Sequence, residues 1–124
     1  MVEFAVVAPL LFLTILLPIF EFGRAFMVSE LVTNAARSGC RVGVLTGNTN
    51  TSVTSAVNSA LSNGGITGAT TTITVNGNSV DVSTASSGDS IAVTVSIPYS
   101  SVSWVHGQFL SGVNLTGTMT MRHE

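Results

Sequence analysis

The apolar residues of this chain are concentrated at its beginning. Residues 2–20 are apolar except for Glu3 and Thr14. A helix of about 20 residues rises roughly 30 Å, which is the thickness of the hydrocarbon core of a bilayer. The pattern therefore predicts a membrane-spanning helix. A cleaved signal peptide is the main alternative, but the flank Met1-Val2-Glu3 carries no basic residue and no Ala-x-Ala site follows.

After residue 20 the pattern becomes amphipathic. Apolar residues recur at roughly helical intervals with polar residues between them, namely Phe22, Phe26, Leu31, Ala35, Val42 and Leu45. The helix is predicted to continue to about residue 44. Such a rod would be roughly 65 Å long, so about half of it should protrude from a small domain. Pro9 and Pro18 are expected to bend or locally melt it, because proline lacks an N–H and clashes with the preceding turn.

The rest of the chain predicts a small sheet and one short helix. Thr51 is the expected N-cap of a helix at residues 52–61, which Asn63-Gly64-Gly65 ends. Period-two alternation predicts four strands, at residues 71–75, 79–83, 90–97 and 115–122, with a hairpin turn at Asn76-Gly77-Asn78 between the first two. The predicted fold class is α+β, with a helical segment at 1–46 and a globular α+β domain at 47–124.

Composition narrows the possible functions. The chain is 45% hydrophobic and 8% charged, has no lysine, and carries a formal net charge of −2. Without a basic patch, nucleic-acid binding is not expected. The one cysteine, Cys40, cannot form an internal disulfide, and we expect it to be a small buried residue.

The sequence offers no catalytic constellation. His106 and His123 stand at neither metal-ligand nor triad spacing from the acids, and the glycines at positions 64, 65 and 68 follow a predicted helix rather than a strand. We therefore expect no enzymatic activity, no metal and no cofactor.

Three motifs carry a family resemblance. VEFAVVAPLL at residues 2–11, EFGRA at 21–25 and NAARSGCR at 34–41 occur in that order. Together they resemble the TadE-like family of tight-adherence pilus proteins, over about the first 45 residues. The resemblance implies a type IV pilin-like protein, whose helix anchors it in the bacterial inner membrane and later forms the core of an extracellular filament. It further implies a homo-oligomer in that filament, a prepilin peptidase and a pilus assembly machinery as partners.

The position of the acid departs from the family pattern. A glutamate at the fifth mature position is usual in this family, following a basic leader that the peptidase removes, whereas here the acid is residue 3. We expect two mature residues to precede the sequence. The alternatives are unusual processing of the leader, or that Met1 is simply where the available chain begins. A basic leader would also reverse the orientation that Arg24, Arg37 and Arg41 otherwise predict, with the C-terminal domain in the cytoplasm.

Eight residues are the candidates for assembly. We expect Glu3 to be neutralised by the terminal ammonium of a neighbouring subunit, or merely to end the membrane span. Glu21 and Arg24 can pair within the helix or between subunits. Arg37 and Arg41 either anchor the helix to the sheet or to a neighbour, or form a solvated face. The full set is Glu3, Phe4, Pro9, Pro18, Glu21, Arg24, Arg37 and Arg41.

The sequence is compatible with two main functions and with a third that it supports less. The first is a structural subunit that polymerises through its N-terminal helix into a pilus used in adhesion or surface attachment. The second is a minor pseudopilin or assembly factor in the inner membrane. A monomeric anchored adhesin that uses Trp104 and Phe109 is a weaker third. Asn50-Thr51-Ser52 and Asn114-Leu115-Thr116 match the N-glycan acceptor pattern.

Overall fold

A computed structural model describes residues 2–102 and 112–124 of the chain. Two long elements come first and a sheet follows. The elements are α1 (Val2–Gly43), α2 (Asn50–Asn63), β1 (Thr70–Val75), a 3-10 turn (Val82–Thr84), β2 (Ser90–Pro98), a second 3-10 turn (Tyr99–Ser101) and β3 (Asn114–Arg122). Four residues considered above lie outside the described ranges: Met1, Trp104, His106 and Phe109.

The first helix is one uninterrupted α-helix of 42 residues. It continues through Pro9 and Pro18, so the expected local melting is wrong. Each proline removes one backbone hydrogen bond, and the other bonds of the ladder hold the helix together on both sides. Near the middle of the apolar stretch, the Thr14 hydroxyl donates to the Leu10 carbonyl at 2.8 Å.

Only the second half of α1 is packed against the rest of the protein. Its buried face from residue 28 onward consists of small and β-branched residues: Val28, Val32, Ala35, Ala36, Gly39, Cys40 and Gly43. Small residues let α2 and the sheet approach closely, since a Cβ added at Gly39 would come within 2.5 Å of the Val57 side chain. Phe22 and Phe26, by contrast, are largely exposed.

Helix α2 begins two residues earlier than the sequence indicates. Its N-cap is Thr49, whose side chain accepts a hydrogen bond from the Ser52 amide at 3.4 Å, so the prediction of Thr51 as the cap is wrong. Val53, Val57 and Leu61 form the buried face of α2. The helix ends at Asn63, as expected from the two glycines that follow.

The sheet has three antiparallel strands in the order β1-β2-β3. The expected strands at residues 71–75, 90–97 and 115–122 each match an observed strand to within one residue at either end. The α+β fold class, with a long N-terminal helix, a short helix and a small antiparallel sheet, is confirmed.

The expected strand at residues 79–83 is wrong. The turn itself forms, because Asn76 and Gly77 adopt the positive φ angles of 51° and 84° that a tight hairpin turn requires. Beyond it the chain leaves the sheet, since the Val82 amide donates to the Asn50 side chain at 3.0 Å and the Ser83 amide donates to Asp81 at 2.9 Å. These bonds fix Val82 in the core instead of in a ladder.

The core lies between α1, α2 and the inner face of the sheet. From the sheet it takes alternate residues of β1 and β2, namely Ile73, Val75, Ile91, Val93, Val95 and Ile97. Cys40 is completely buried, as expected, and its thiol donates to the Ile91 carbonyl at 3.4 Å. The end of the chain is tied to the end of α1, because the Glu124 amide donates to the Val44 carbonyl at 3.1 Å.

Candidate assembly site

The first half of α1 forms an apolar surface without any cover. An 18-residue window of this helix has a mean hydropathy of 2.4 and is 0% buried. By length and composition alone, α1 could cross a membrane. Exposing such a large apolar surface to water is unfavourable. A surface of this kind is typical of a site that contacts a membrane or another protein. Its large side chains include Val2, Phe4, Val6, Leu10, Phe12, Ile15, Ile19 and Phe20.

Glu3 and Phe4 lie in the first turn of α1, at the end farthest from the folded part. Both are exposed, Phe4 by 77% of its surface. A carboxylate in a first helical turn is favoured by the unsatisfied N–H groups there. This local effect accounts for an acid at the helix start, and it leaves the carboxylate accessible to another chain.

The two prolines lie within the apolar stretch, Pro9 exposed and Pro18 half-buried. Pro18 is three residues before Glu21, where the folded part of the chain begins to cover α1. A missing hydrogen bond at this place makes the boundary between the covered and uncovered halves the easiest point at which to bend the helix.

Glu21 and Arg24 are held against the turn that follows β2. Glu21 is 1% exposed, and its backbone carbonyl accepts a hydrogen bond from the Tyr99 hydroxyl at 2.9 Å. The Arg24 Nε donates to the Val102 carbonyl at 2.9 Å. Tyr99 was not among the residues that the sequence indicates for this site. The one signal for it was a single aromatic residue directly after the strand-ending Pro98.

Arg37 and Arg41 lie on the exposed side of α1, opposite the core. Within residues 2–102 and 112–124, neither guanidinium forms a hydrogen bond or an ion pair. The alternative in which these residues anchor the helix to the sheet is therefore not observed. Glu30 lies on the same side and is exposed as well.

The two possible glycan acceptors differ in accessibility. The Asn50 amide group is used inside the protein, because its oxygen accepts from the Val82 amide at 3.0 Å and its nitrogen donates to the Val80 carbonyl at 3.4 Å. Asn114 is exposed at the start of β3. Of the two triplets, the one at Asn114 is the accessible one.

Two carboxylates outside α1 have shifted ionisation. Hydrogen bonds lower the pKa of Asp81. The larger contribution comes from Ser83 and a smaller one from the backbone N–H of Asn50. Hydrogen bonds from the Ser86 amide and the Asn76 side chain lower the pKa of Asp89, and the nearby His123 contributes in the same direction. Both acids accept backbone N–H bonds within their loops, and neither lines the groove beside α2 or the apolar cleft beside Phe22.

The surface contains a polar groove beside α2 and a smaller apolar cleft beside α1. A groove of about 910 Å³ lies between α2 and the following loop, with hydroxyl and amide side chains such as Thr51, Ser55 and Asn58 along it. An apolar cleft of about 190 Å³ lies beside Phe22 and Phe26. Among the described residues, no three His, Cys, Asp or Glu side chains are grouped so as to hold a metal ion.

The sequence model of the family described as TadE-like protein matches residues 1–41 of the 124. The match confirms the resemblance carried by the three motifs. It covers the whole uncovered half of α1 and most of the half that packs on the sheet. No curated protein and no solved structure matches the chain. The matched family is a structural, pilus-related one, and the similarity extends over about the first third of this chain.

Proposed function

We propose that this protein is a pilin-like structural subunit that polymerises through α1 into an extracellular filament, which serves adhesion or surface attachment. The observation that carries the proposal is the 18-residue apolar window of α1 that is 0% buried, on a helix whose other half is fixed in the core of a folded domain. In the inner membrane, lipid covers this surface. In a filament, the same surface of other copies covers it.

The chemistry of the folded part supports the filament. Its exposed surface is rich in Thr, Ser and Asn, and the chain as a whole is only 8% charged. A neutral, hydroxyl-rich surface can be repeated many times along a filament without accumulating repulsion between like charges. The prepilin peptidase and the assembly machinery belong to this proposal as partners, on the basis of the family resemblance.

The direct test is to shear appendages from cells that express this protein and to image them by electron microscopy. A helical reconstruction in which this sequence fills every subunit, with α1 in the core, is the expected result. Filaments of a different protein, with this chain missing or confined to one end, would contradict the proposal. Whole-cell immunoblots before and after shearing control for chain that is present but not exported.

Glu3 is the residue on which assembly should depend most. An ionised carboxylate in hydrocarbon costs about 2.5–3.5 kcal/mol on insertion scales, so it needs a partner once bundled helices exclude water. We propose the terminal ammonium of a neighbouring subunit as that partner, because the pair would then be neutral where the helices exclude water.

Replacing Glu3 by alanine separates insertion from assembly. We expect Glu3→Ala to insert into membranes in normal amounts and to yield no filaments, as measured by membrane fractionation and shearing. Glu3→Asp keeps the charge and should retain partial assembly. Filaments of normal number and symmetry from Glu3→Ala would refute the role assigned to the carboxylate.

A minor component is the second candidate. The length and hydropathy of α1 also suit a protein that resides in the inner membrane and primes or regulates the polymerisation of another pilin. Abundance separates the two functions, because a major subunit must dominate the sheared material.

A further inference from the structure

One straight face of α1 is uncovered along nearly the entire helix. Residues three and four apart lie on the same side of a helix, and one such series is exposed at every position. We call this series the free face of α1, and its members are Phe12, Ile15, Ile19, Gly23, Phe26, Glu30, Asn34, Arg37 and Arg41.

The free face changes character at Glu30. Up to Phe26 it is apolar, and from Glu30 to Arg41 it carries one negative and two positive side chains. Glu30 and Arg37 are seven residues apart, which separates them by roughly 10.5 Å along the helix, too far for an ion pair within one chain. Within the described ranges, 2–102 and 112–124, none of Glu30, Arg37 and Arg41 forms an ion pair.

We propose that the charged part of the free face sets the axial register between copies of this chain, with Glu30 of one copy paired to Arg37 of the next. This inference rests on the proposed function, because it takes the copies to lie parallel with their free faces turned toward one another. The partner is a second copy displaced along the helix axis by seven residues, or roughly 10.5 Å.

Charge complementarity selects this displacement from the alternatives. With no displacement, Glu30 would face Glu30 and Arg37 would face Arg37. With a displacement of four residues, Arg41 would face Arg37. Like charges at such positions repel each other, and the repulsion grows where water is excluded.

A displacement of eleven residues fails for another reason. It would pair Arg41 with Glu30, but it would also place Glu30 of the displaced copy against Ile19, and a carboxylate against an apolar side chain loses its hydration without a partner.

The displacement of seven residues leaves each of these positions with a suitable neighbour. Arg37 meets Glu30, and Arg41 meets the exposed amide of Asn34. Phe26 meets Ile19, and Glu30 of the displaced copy meets Gly23, where the missing side chain, with nothing within 4 Å of an added Cβ, leaves room for the water that hydrates the carboxylate. Residues seven apart in the sequence thus meet across the interface as one apolar pair, Phe26 with Ile19, and one pair of opposite charges, Arg37 with Glu30, as in helices that pack in a fixed register.

Exchanging charges tests the pairing between chains. Glu30→Arg alone and Arg37→Glu alone should each abolish filaments, and the double variant should restore them. Co-expression of the two single variants should also restore filaments, because each chain then supplies the charge that the other needs. Arg122→Glu on β3, which is exposed and changes the net charge by the same amount as Arg37→Glu, is the control and should assemble like the unaltered chain.

The outcomes separate this inference from the proposed function. Filaments in normal number from both single variants, or rescue of Glu30→Arg by Arg41→Glu in place of Arg37→Glu, would overturn the register while leaving the filament intact. No filaments from the unaltered chain would overturn the proposed function instead. In a helical reconstruction, copies that touch through these side chains should be offset by roughly 10.5 Å along α1, and a different offset would refute the pairing.

Discussion

Gly117 shows how closely α1 and the sheet approach each other. Glycine in the interior of a strand ordinarily weakens it, because it contributes no side chain and loses the most conformational freedom on folding. Here the middle of β3 lies against the backbone of α1, and a Cβ at Gly117 would stand 2.8 Å from both the Cα and the amide nitrogen of Thr33. Backbone atoms cannot rotate away as a side chain can, so the glycine is required by the contact.

Gly117→Ala should therefore destabilise the protein. Overpacking of this kind costs about 1–3 kcal/mol, since the helix and the strand must separate. Chemical unfolding of the detergent-solubilised chain measures the effect. Gly23→Ala is the control, because that position lies in α1 with nothing within 4 Å of the added Cβ, and replacing a helical glycine stabilises by roughly 0.5–1 kcal/mol. Equal stability of the two variants would contradict the close contact.

Asp81 makes the stability of the fold depend on pH in the acidic range. Hydrogen bonds from Ser83 and from the Asn50 backbone N–H lower the pKa of Asp81 below the ordinary range of an aspartate. A carboxyl with a lowered pKa in the folded state contributes stability above the pKa of the unfolded chain, and this contribution is lost as the pH falls through the folded pKa. Unfolding free energy should thus decrease as the pH is lowered below about 4.

The matched variant for this effect is Asp81→Asn. The amide oxygen can still accept a backbone N–H bond, but the side chain no longer titrates. Its unfolding free energy, followed by circular dichroism against pH, should fall less steeply than that of the unaltered chain. Identical slopes would show that Asp81 does not contribute to the pH dependence.

Among the elements, those defined by a strong local pattern were predictable. The three observed strands alternate apolar and hydroxyl-bearing residues, and the end of α2 follows from Gly64 and Gly65, so local sequence was sufficient there. Residues 79–83 alternate as well, yet they form no strand. Their competitor is the start of α2, where Asn50 accepts the Val82 amide at 3.0 Å. No local pattern reveals a partner thirty residues away.

The candidate site was predictable in its first half only. An apolar run with a single acid is legible in the sequence, and Glu3 and Phe4 are accessible as an assembly role requires. The sequence did not reveal which face of the second half of α1 packs against the core. Spacing favoured Phe22 and Phe26, but the core selects the small residues Ala36 and Gly39, because α2 and the sheet lie too close to α1 for aromatic rings. Which face is covered is decided by elements later in the chain.

Tyr99 joins the end of β2 to the middle of α1. Its side chain is completely buried, and its hydroxyl donates to the Glu21 carbonyl at 2.9 Å. Tyr99→Phe removes that bond and keeps the packing of the ring, so we expect a loss of about 0.5–1.5 kcal/mol in unfolding free energy. Ser100→Ala, in the same turn but exposed, should change nothing.

Hydrogen exchange locates the effect of Tyr99→Phe. The amides just after Glu21 should exchange faster than in the unaltered chain. Those near Cys40 should not, because they belong to the core and do not depend on the hydrogen bond from the Tyr99 hydroxyl. Uniform acceleration along α1 would indicate a general loss of stability and would contradict a local attachment.

At the scale of the whole molecule, α1 belongs to two environments at once. Residues 2–20 are covered only by lipid or by other copies under the proposed function, whereas Val28, Val32 and Cys40 are completely buried within the chain. A force or a displacement applied to the uncovered half is therefore transmitted to the folded part through a continuous helix and not through a flexible linker. Under the proposed function, this coupling would let contacts along α1 fix the orientation of the folded part.

The same coupling decides where the chain can be divided. A fragment of residues 47–124 lacks the α1 residues that cover the sheet, which would leave Val93 and Val95 exposed to water, so we expect it to remain unfolded or to aggregate. A fragment of residues 21–124 retains every completely buried residue of α1 and should be soluble and unfold cooperatively. Circular dichroism and dispersion of the amide NMR signals measure both. Cooperative unfolding of the shorter fragment would show that α1 is only an anchor, and the helix would then have no means of orienting the domain that it carries.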